Sequence, residues 1–132
     1  MREIKYRGKD IETGEWVYGS LFQALEQYPA IAKPKPTADG KLFYCLTVVN
    51  PDTVGQYTGL KDRNGKEIYE GDIIVQQGYS GMRPMLVQFE SGAFVTGSHK
   101  GSSTPKRPML IQPRCKMIGN IHDNPELLEE EK

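Results

Sequence analysis

Val54–Ile74 reads VGQYTGLKDRNGKEIYEGDII, and the spacing of turn formers and apolar residues in this stretch decides the fold. The pair Asn64-Gly65 tolerates two positive φ angles and is typical of a type I′ hairpin turn. Gly71 and Asp72 stand just before the apolar run IIV, and a glycine there permits a backbone angle that other residues resist. The stretch therefore predicts a strand, a tight turn, a returning strand and a sharp corner into a buried strand. Corners of this kind let small barrels close.

Short strands and turns continue on both sides of this stretch. Further hairpins are predicted around the turns at Asp10–Gly14 and Ser91-Gly92, where extended runs flank glycine. Lys41–Val49, KLFYCLTVV, is the most apolar run, and its aromatic and β-branched residues predict a buried strand. Lys33–Gly40, KPKPTADG, predicts an exposed loop, because proline has no N–H to donate to a central strand.

The C-terminal end combines a helix signal with an acidic tail. Asn124-Pro125 resembles an N-cap followed by proline at the first helical position, which predicts a short C-terminal helix. About eight to ten short strands before it indicate an all-β fold, with a small barrel favoured over a sandwich. The 132 residues fit one domain, made of an N-terminal hairpin and apolar strand (1–52), a barrel-like core (53–122) and a short acidic helix or tail (123–132).

Charge is balanced in total, at 17 basic and 17 acidic residues, but not along the chain. Residues 91–122 hold five basic residues and no acidic one, whereas residues 123–132 hold five acidic residues and one basic. The basic segment is the best candidate for contacts with phosphates or another anionic partner, with Tyr79 or Phe94 as stacking faces. The neutral total charge of the chain and its pI of about 6.7 weigh against a dedicated nucleic-acid binder. The candidate binding residues are Lys100, Lys106, Arg107, Arg114 and Lys116.

Residues that could support catalysis or metal binding have simpler structural explanations. Four carboxylates surround the central hairpin and could share a proton or bind a cation, yet roles in turns and at the surface explain them better. His99, His122 and Cys115 lack the spacing of zinc ligands, so no metal is predicted. Gly97–Thr104 lacks the Walker pattern of a phosphate loop. No catalytic residue and no cofactor are expected. The four carboxylates are Asp62, Glu67, Glu70 and Asp72.

Three motifs in this order resemble the YopX family, small proteins encoded by phages and prophages of low-GC Gram-positive bacteria. TVGQYTGLKDRNGKEIYEGDII resembles the signature block of that family, MREIKYRGKDIETGEWVYG its N-terminal hairpin and IGNIHDNPELLEE its C-terminal block. The resemblance implies a β-rich fold with a small barrel of Src-homology-3-like type and additional hairpins. It implies a phage or prophage origin. It does not imply an enzymatic activity, and no binding residues can be carried over from the family.

Together these features predict a non-catalytic binding module of a phage or prophage, with an unknown target in the bacterial host. Three partners stay open: a nucleic acid, a nucleotide-like ligand held by an oligomer, and a host protein recruited through a strand edge. A homo-oligomer is expected, with the first hairpin or the C-terminal segment at the interface, because strand edges need cover and aromatics lie on that hairpin at Trp16 and Tyr18. The start of the chain lacks a signal peptide and no run is long enough to span a membrane, so we expect a cytoplasmic protein without a membrane partner.

Overall fold

Ten strands and two short 3₁₀ helices form the regular structure in a computed structural model that describes residues 3–23, 27–78, 81–90, 92–97 and 109–128. The chain separates into two units, Met1–Tyr57 and Thr58–Lys132. The division into 1–52, 53–122 and 123–132 is not decided by these units and stays a prediction. The strands are β1 (Tyr6–Lys9), β2 (Trp16–Phe22), β3 (Ala30–Pro36), β4 (Leu42–Val48), β5 (Gly55–Lys61), β6 (Glu67–Tyr69), β7 (Asp72–Gly78), β8 (Gly81–Glu90), β9 (Ala93–Gly97) and β10 (Lys116–Asn120), and the 3₁₀ helices are Pro51–Thr53 and Pro125–Leu128.

The first unit is a curled antiparallel sheet with strand order β4-β3-β2-β1-β5. Only the first half of β5 belongs to this unit. An isolated bridge between Asp10 and Val49 joins the ends of β1 and β4, so the sheet curls into a half-barrel. Val49 and Ile31 are fully buried inside the curl. Gly8 permits this closure, because a Cβ on it would lie 2.8 Å from a methyl carbon of Val49.

Strand β3 corrects the loop predicted for Lys33–Gly40, since the strand continues through Pro36. The register pairs Pro34 with Tyr44 and Pro36 with Leu42. Hydrogen bonds from Val49 N–H to the Pro29 carbonyl and from Thr37 N–H to the Lys41 carbonyl flank these pairs. Hydrogen-bonded and non-hydrogen-bonded pairs alternate along antiparallel strands. Both prolines therefore stand in non-hydrogen-bonded pairs, where no N–H group is needed to bond β4.

Strand β4 forms as predicted, but the prediction that it is buried is wrong. Leu42 and Tyr44 are each 59% exposed and Leu46 is 55% exposed, and burial begins only at Val49. The strand is at the edge of its sheet, so one long side has no neighbouring strand among the described residues. An apolar run with aromatic and β-branched residues indicates a strand but does not say which strands flank it.

The second unit contains the C-terminal half of β5 beside β6, and a four-stranded antiparallel sheet with order β10-β7-β8-β9. Its core consists of Ile68, Ile74, Val87 and Cys115, with Ile111 and Met117 packed against it. The predicted hairpin of β8 and β9 is confirmed, with Phe89 opposite Phe94 and Gly92 at a φ of 83°. The protein is thus all-β, with a curled half-barrel sheet and a second sheet.

The predicted C-terminal helix is wrong for the described residues, where Pro125–Leu128 forms only a four-residue 3₁₀ helix. The side chain of Asn124 accepts a hydrogen bond from Asn120 N–H at 3.3 Å, so this oxygen turns back to β10. Leu127 N–H instead bonds the Asn124 carbonyl, a three-residue spacing. Leu128 is buried, so this described 3₁₀ turn packs its last residue against the fold.

Candidate functional site

The turn between β5 and β6 is built around the carboxylate of Asp62. Its Oδ1 accepts hydrogen bonds from the N–H groups of Asn64 at 2.8 Å and Lys66 at 2.9 Å. The Gly65 N–H bonds the Asp62 carbonyl at 2.9 Å, so Arg63 and Asn64 are the central residues, and Gly65 follows with a φ of 84°. This is the longer hairpin turn with a glycine bulge, not the two-residue type I′ turn predicted for Asn64-Gly65. The carboxylate provides the acceptor that favours the longer turn.

The same carboxylate attaches the turn to β10. Its Oδ2 accepts a hydrogen bond from Met117 N–H at 2.9 Å, and Arg63 N–H donates to the Cys115 carbonyl at 2.9 Å. Three backbone donors thus converge on one buried side chain, and one of them lies 55 residues along the chain. The turn and the start of β10 are therefore held together by one side-chain and one backbone hydrogen bond.

Opposing effects act on the acidity of Asp62. Burial raises the pKa of this carboxyl, but hydrogen bonds from the N–H groups of Met117, Lys66 and Asn64 lower it, and the positive charge of Lys66 lowers it further. The net pKa lies below the ordinary value, so Asp62 is ionised at neutral pH. Burial raises the pKa of the neighbouring Cys115 thiol, and the negative charge of Asp62 adds to this rise.

Five exposed cations lie on the turn between β5 and β6 and on residues 114–116, the two segments that these hydrogen bonds join. We call this set the basic cluster. Two of its members, Arg114 and Lys116, are among the binding residues predicted from sequence; the other three flank the turn and were not among them. Their signal was in LKDRNGK, a hairpin tip with three cations, but only the contact with residues 115–117 makes them neighbours of the predicted pair. The basic cluster comprises Lys61, Arg63, Lys66, Arg114 and Lys116.

The remaining predicted binding residues Lys100, Lys106 and Arg107 lie outside the described residues, as do Tyr79 and the loop at residues 98–108. Phe94 is described, and its ring meets Phe89 edge-on with the ring centres 4.9 Å apart. It belongs to β9, at the opposite edge of the four-stranded sheet from Lys116 on β10. The strands β7 and β8 lie between β9 and β10 in this sheet, so Phe94 and Lys116 are not on paired strands.

The acidic residues after the turn are arranged around the corner. Asp72 is buried and its Oδ2 accepts a hydrogen bond from Tyr69 N–H at 2.7 Å. Gly71 has a φ of 90°, its N–H bonds the Val87 carbonyl, and its own carbonyl accepts from Ile121 N–H. Glu67 lies within 3.3 Å of the Tyr69 hydroxyl, and Glu70 is half-buried. These contacts tie the corner to the neighbouring strands.

Two of the three residues that were weighed as zinc ligands are described in the structure. Cys115 is buried and His122 is exposed, whereas His99 is outside the described residues. In the described parts of the chain, no three His, Cys, Asp or Glu side chains gather as metal ligands would. No helix within those parts has the length and apolar character needed to cross a membrane.

Comparison with known proteins agrees with this all-β architecture of two sheets. The chain belongs to the YopX family: the family model described as YopX protein matches residues 5–129. The chain also resembles the crystal structure of protein EF1440 from Enterococcus faecalis, with a TM-score of 0.60 and 23% identity, over 98% of this chain and all of that one. No curated protein matches the sequence.

Proposed function

We propose that this protein is a non-catalytic binding module of a phage or prophage, and that the basic cluster of its second unit binds an anionic partner in the bacterial cytoplasm. The family supports the phage origin, as an inference from the sequence resemblance. The observation that carries the binding proposal is the convergence of the Lys61–Lys66 turn on residues 114–117. These contacts bring two cationic segments that are far apart in sequence next to each other, which supports the proposal.

The chemistry of the cluster suits a chain of phosphates better than a single small anion. The Asp62 hydrogen bonds hold the backbone of the turn and of Met117 in place, so little backbone ordering is needed there when a partner binds. Exposed cations contact phosphates without reading bases, and each contact releases counterions. We therefore take a nucleic acid backbone as the partner. We also assign to the second unit the Src-homology-3-like small barrel that the family resemblance implies.

The test is fluorescence anisotropy with labelled single-stranded and duplex oligonucleotides at several salt concentrations. Replacing Arg114 and Lys116 with Gln should weaken binding and reduce the slope of log K against log salt by about 0.7 to 0.9 for each phosphate that the protein no longer neutralises. Replacing Lys61 and Arg63 with Gln should have a similar effect. Folding should survive in both variants, because exposed charges contribute little to stability.

A matched control removes two exposed cations from the first unit, Lys33 and Lys35 on β3, and should leave the slope unchanged. Equal losses in the control and in the cluster variants would show that only net charge matters and would overturn the assignment. Competition by a nucleoside triphosphate at micromolar concentration, without oligonucleotide binding, would instead favour the nucleotide-like ligand. Capture of a host protein with neither probe bound would favour the strand-edge alternative.

A further inference from the structure

A free hydrogen-bonding edge runs along β4 of the first unit. Since Val49 and Lys41 pair with β3 through hydrogen bonds, residues 43, 45 and 47 also direct their N–H and C=O groups towards β3. The alternate residues Leu42, Tyr44 and Leu46 then direct theirs away from the sheet. Among the described residues, no strand lies on this side. Within the described parts of the chain, the contact seen on this side is at the end of the edge, where the Val48 carbonyl accepts from Ile11 N–H at 3.0 Å.

The side chains of β4 lack the features that keep edge strands apart. Leu42–Val48 contains no charged residue and no proline, and five of its seven residues are large, apolar and exposed. Isolated edges are commonly blunted by lysine, proline or a bulge, because an open apolar edge pairs with other chains. From their exposed fractions, these five residues expose on the order of 500 Å² per chain, so two copies cover at most about 1,000 Å², the lower limit for a specific interface.

We propose that β4 pairs antiparallel with β4 of a second copy of this chain, around a two-fold axis at Tyr44. The free edge extends from Leu42 to Leu46 and its centre is Tyr44, so this register uses every outward group. Leu42 then pairs with Leu46 of the second copy, and Tyr44 with its own counterpart. A strand without charge suits self-pairing, because a two-fold axis places identical or nearby residues opposite each other and no like charges meet.

The register makes a distinct cysteine prediction. Phe43 and Cys45 of the second copy become a non-hydrogen-bonded pair, with Cα atoms about 4.5 Å apart. The two copies of Cys45 stand diagonally, at about 7–8 Å. A disulfide requires Cα atoms within about 7 Å. Cys45 is exposed, so it is accessible to an oxidant.

The first experiment measures mass in solution at about 100 µM by light scattering and sedimentation equilibrium. The wild type should have twice the 14.9 kDa of one chain. Tyr44→Lys should be a folded monomer, since this side chain is exposed in the single chain and the substitution brings two like charges together at the axis. Met82→Lys is the matched control, an exposed apolar residue on β8 of the second unit, and should stay dimeric.

The second experiment tests the register by oxidation with diamide. Phe43→Cys with Cys45 intact should crosslink nearly completely between chains, whereas the wild type and Phe43→Cys/Cys45→Ser should not. A monomeric wild type, a dimer that survives Tyr44→Lys, or a dimer in which Phe43→Cys does not crosslink would each overturn the proposal. Oligonucleotide binding by the same variants reports separately on the basic cluster, so the two proposals fail independently.

Discussion

Removal of the Asp62 carboxylate should weaken the second unit by a predictable amount. Asp62→Asn preserves the size of the side chain and one oxygen, which still accepts from Asn64 and Lys66, but its amide cannot accept from Met117 N–H. A lost hydrogen bond to a charged group costs about 1.5–3 kcal/mol, so we expect a loss of about 2 kcal/mol. Asp62→Ala removes all three acceptor contacts and should cost about 3–5 kcal/mol, less than three times the single loss because the contacts share one side chain.

The stability that Asp62→Asn loses relative to wild type should decrease as the pH falls. The folded-state pKa of Asp62 is below the ordinary value of 3.8, so the ionised carboxylate contributes its full stability above pH 4 to 5. This contribution is lost as the pH falls through the folded-state pKa. The difference between wild type and Asp62→Asn should therefore be largest at pH 7 and shrink below pH 4.

Urea unfolding followed by far-UV circular dichroism at pH 7 and pH 3 measures both effects. Asp52→Asn, at an exposed carboxylate, is the control and should change the unfolding free energy by less than about 0.5 kcal/mol. An Asp62→Asn protein as stable as wild type at pH 7 would refute the role of this carboxylate. A deficit of the same size at pH 3 would refute the electrostatic explanation.

Three further substitutions test other close contacts. Gly71→Val should cost more than about 1 kcal/mol, because a β-branched side chain is strained at a φ of 90°, and denaturant unfolding measures the loss. Gly19→Ala should lower the thermal midpoint by several degrees, because its new methyl would press on the backbone carbonyl of Ala32, whereas Gly14→Ala carries only the strain of its positive φ. Gln76→Leu should lose about 2–4 kcal/mol, because this buried amide accepts from Gln112 N–H at 2.9 Å; an unchanged unfolding midpoint would contradict the prediction.

Local chemistry predicted the hairpins of this fold but not the neighbours of each strand. Alternation and turn formers were sufficient to find β8 and β9, because both partners are close in sequence. The exposure of β4 depends on its edge position, which no local pattern encodes. Lysine-proline alternation argued against β3, yet both prolines fall where the pairing needs no donor, and this follows only from the register with β4.

The candidate site shows the same division between local and long-range information. Arg114 and Lys116 were predicted from a run of cations without acidic neighbours. Lys61, Arg63 and Lys66 were assigned to a turn alone, since their approach to β10 depends on a hydrogen bond between residues 55 positions apart. Asp62 was correctly placed beside the turn, but its contact with Met117 could not be predicted from the spacing of turn residues.

The position of Trp16 gives the protein a built-in spectroscopic reporter. It is the only tryptophan of the chain, and it stands on β2 with the guanidinium of Arg7 4.5 Å and the ammonium of Lys9 5.4 Å from its ring centre. Its emission therefore reports on the first unit, while circular dichroism reports on the strands of both units. Superimposable traces during unfolding would mean that the two units melt as one cooperative body, and separated traces would give each unit its own melting curve without any added label.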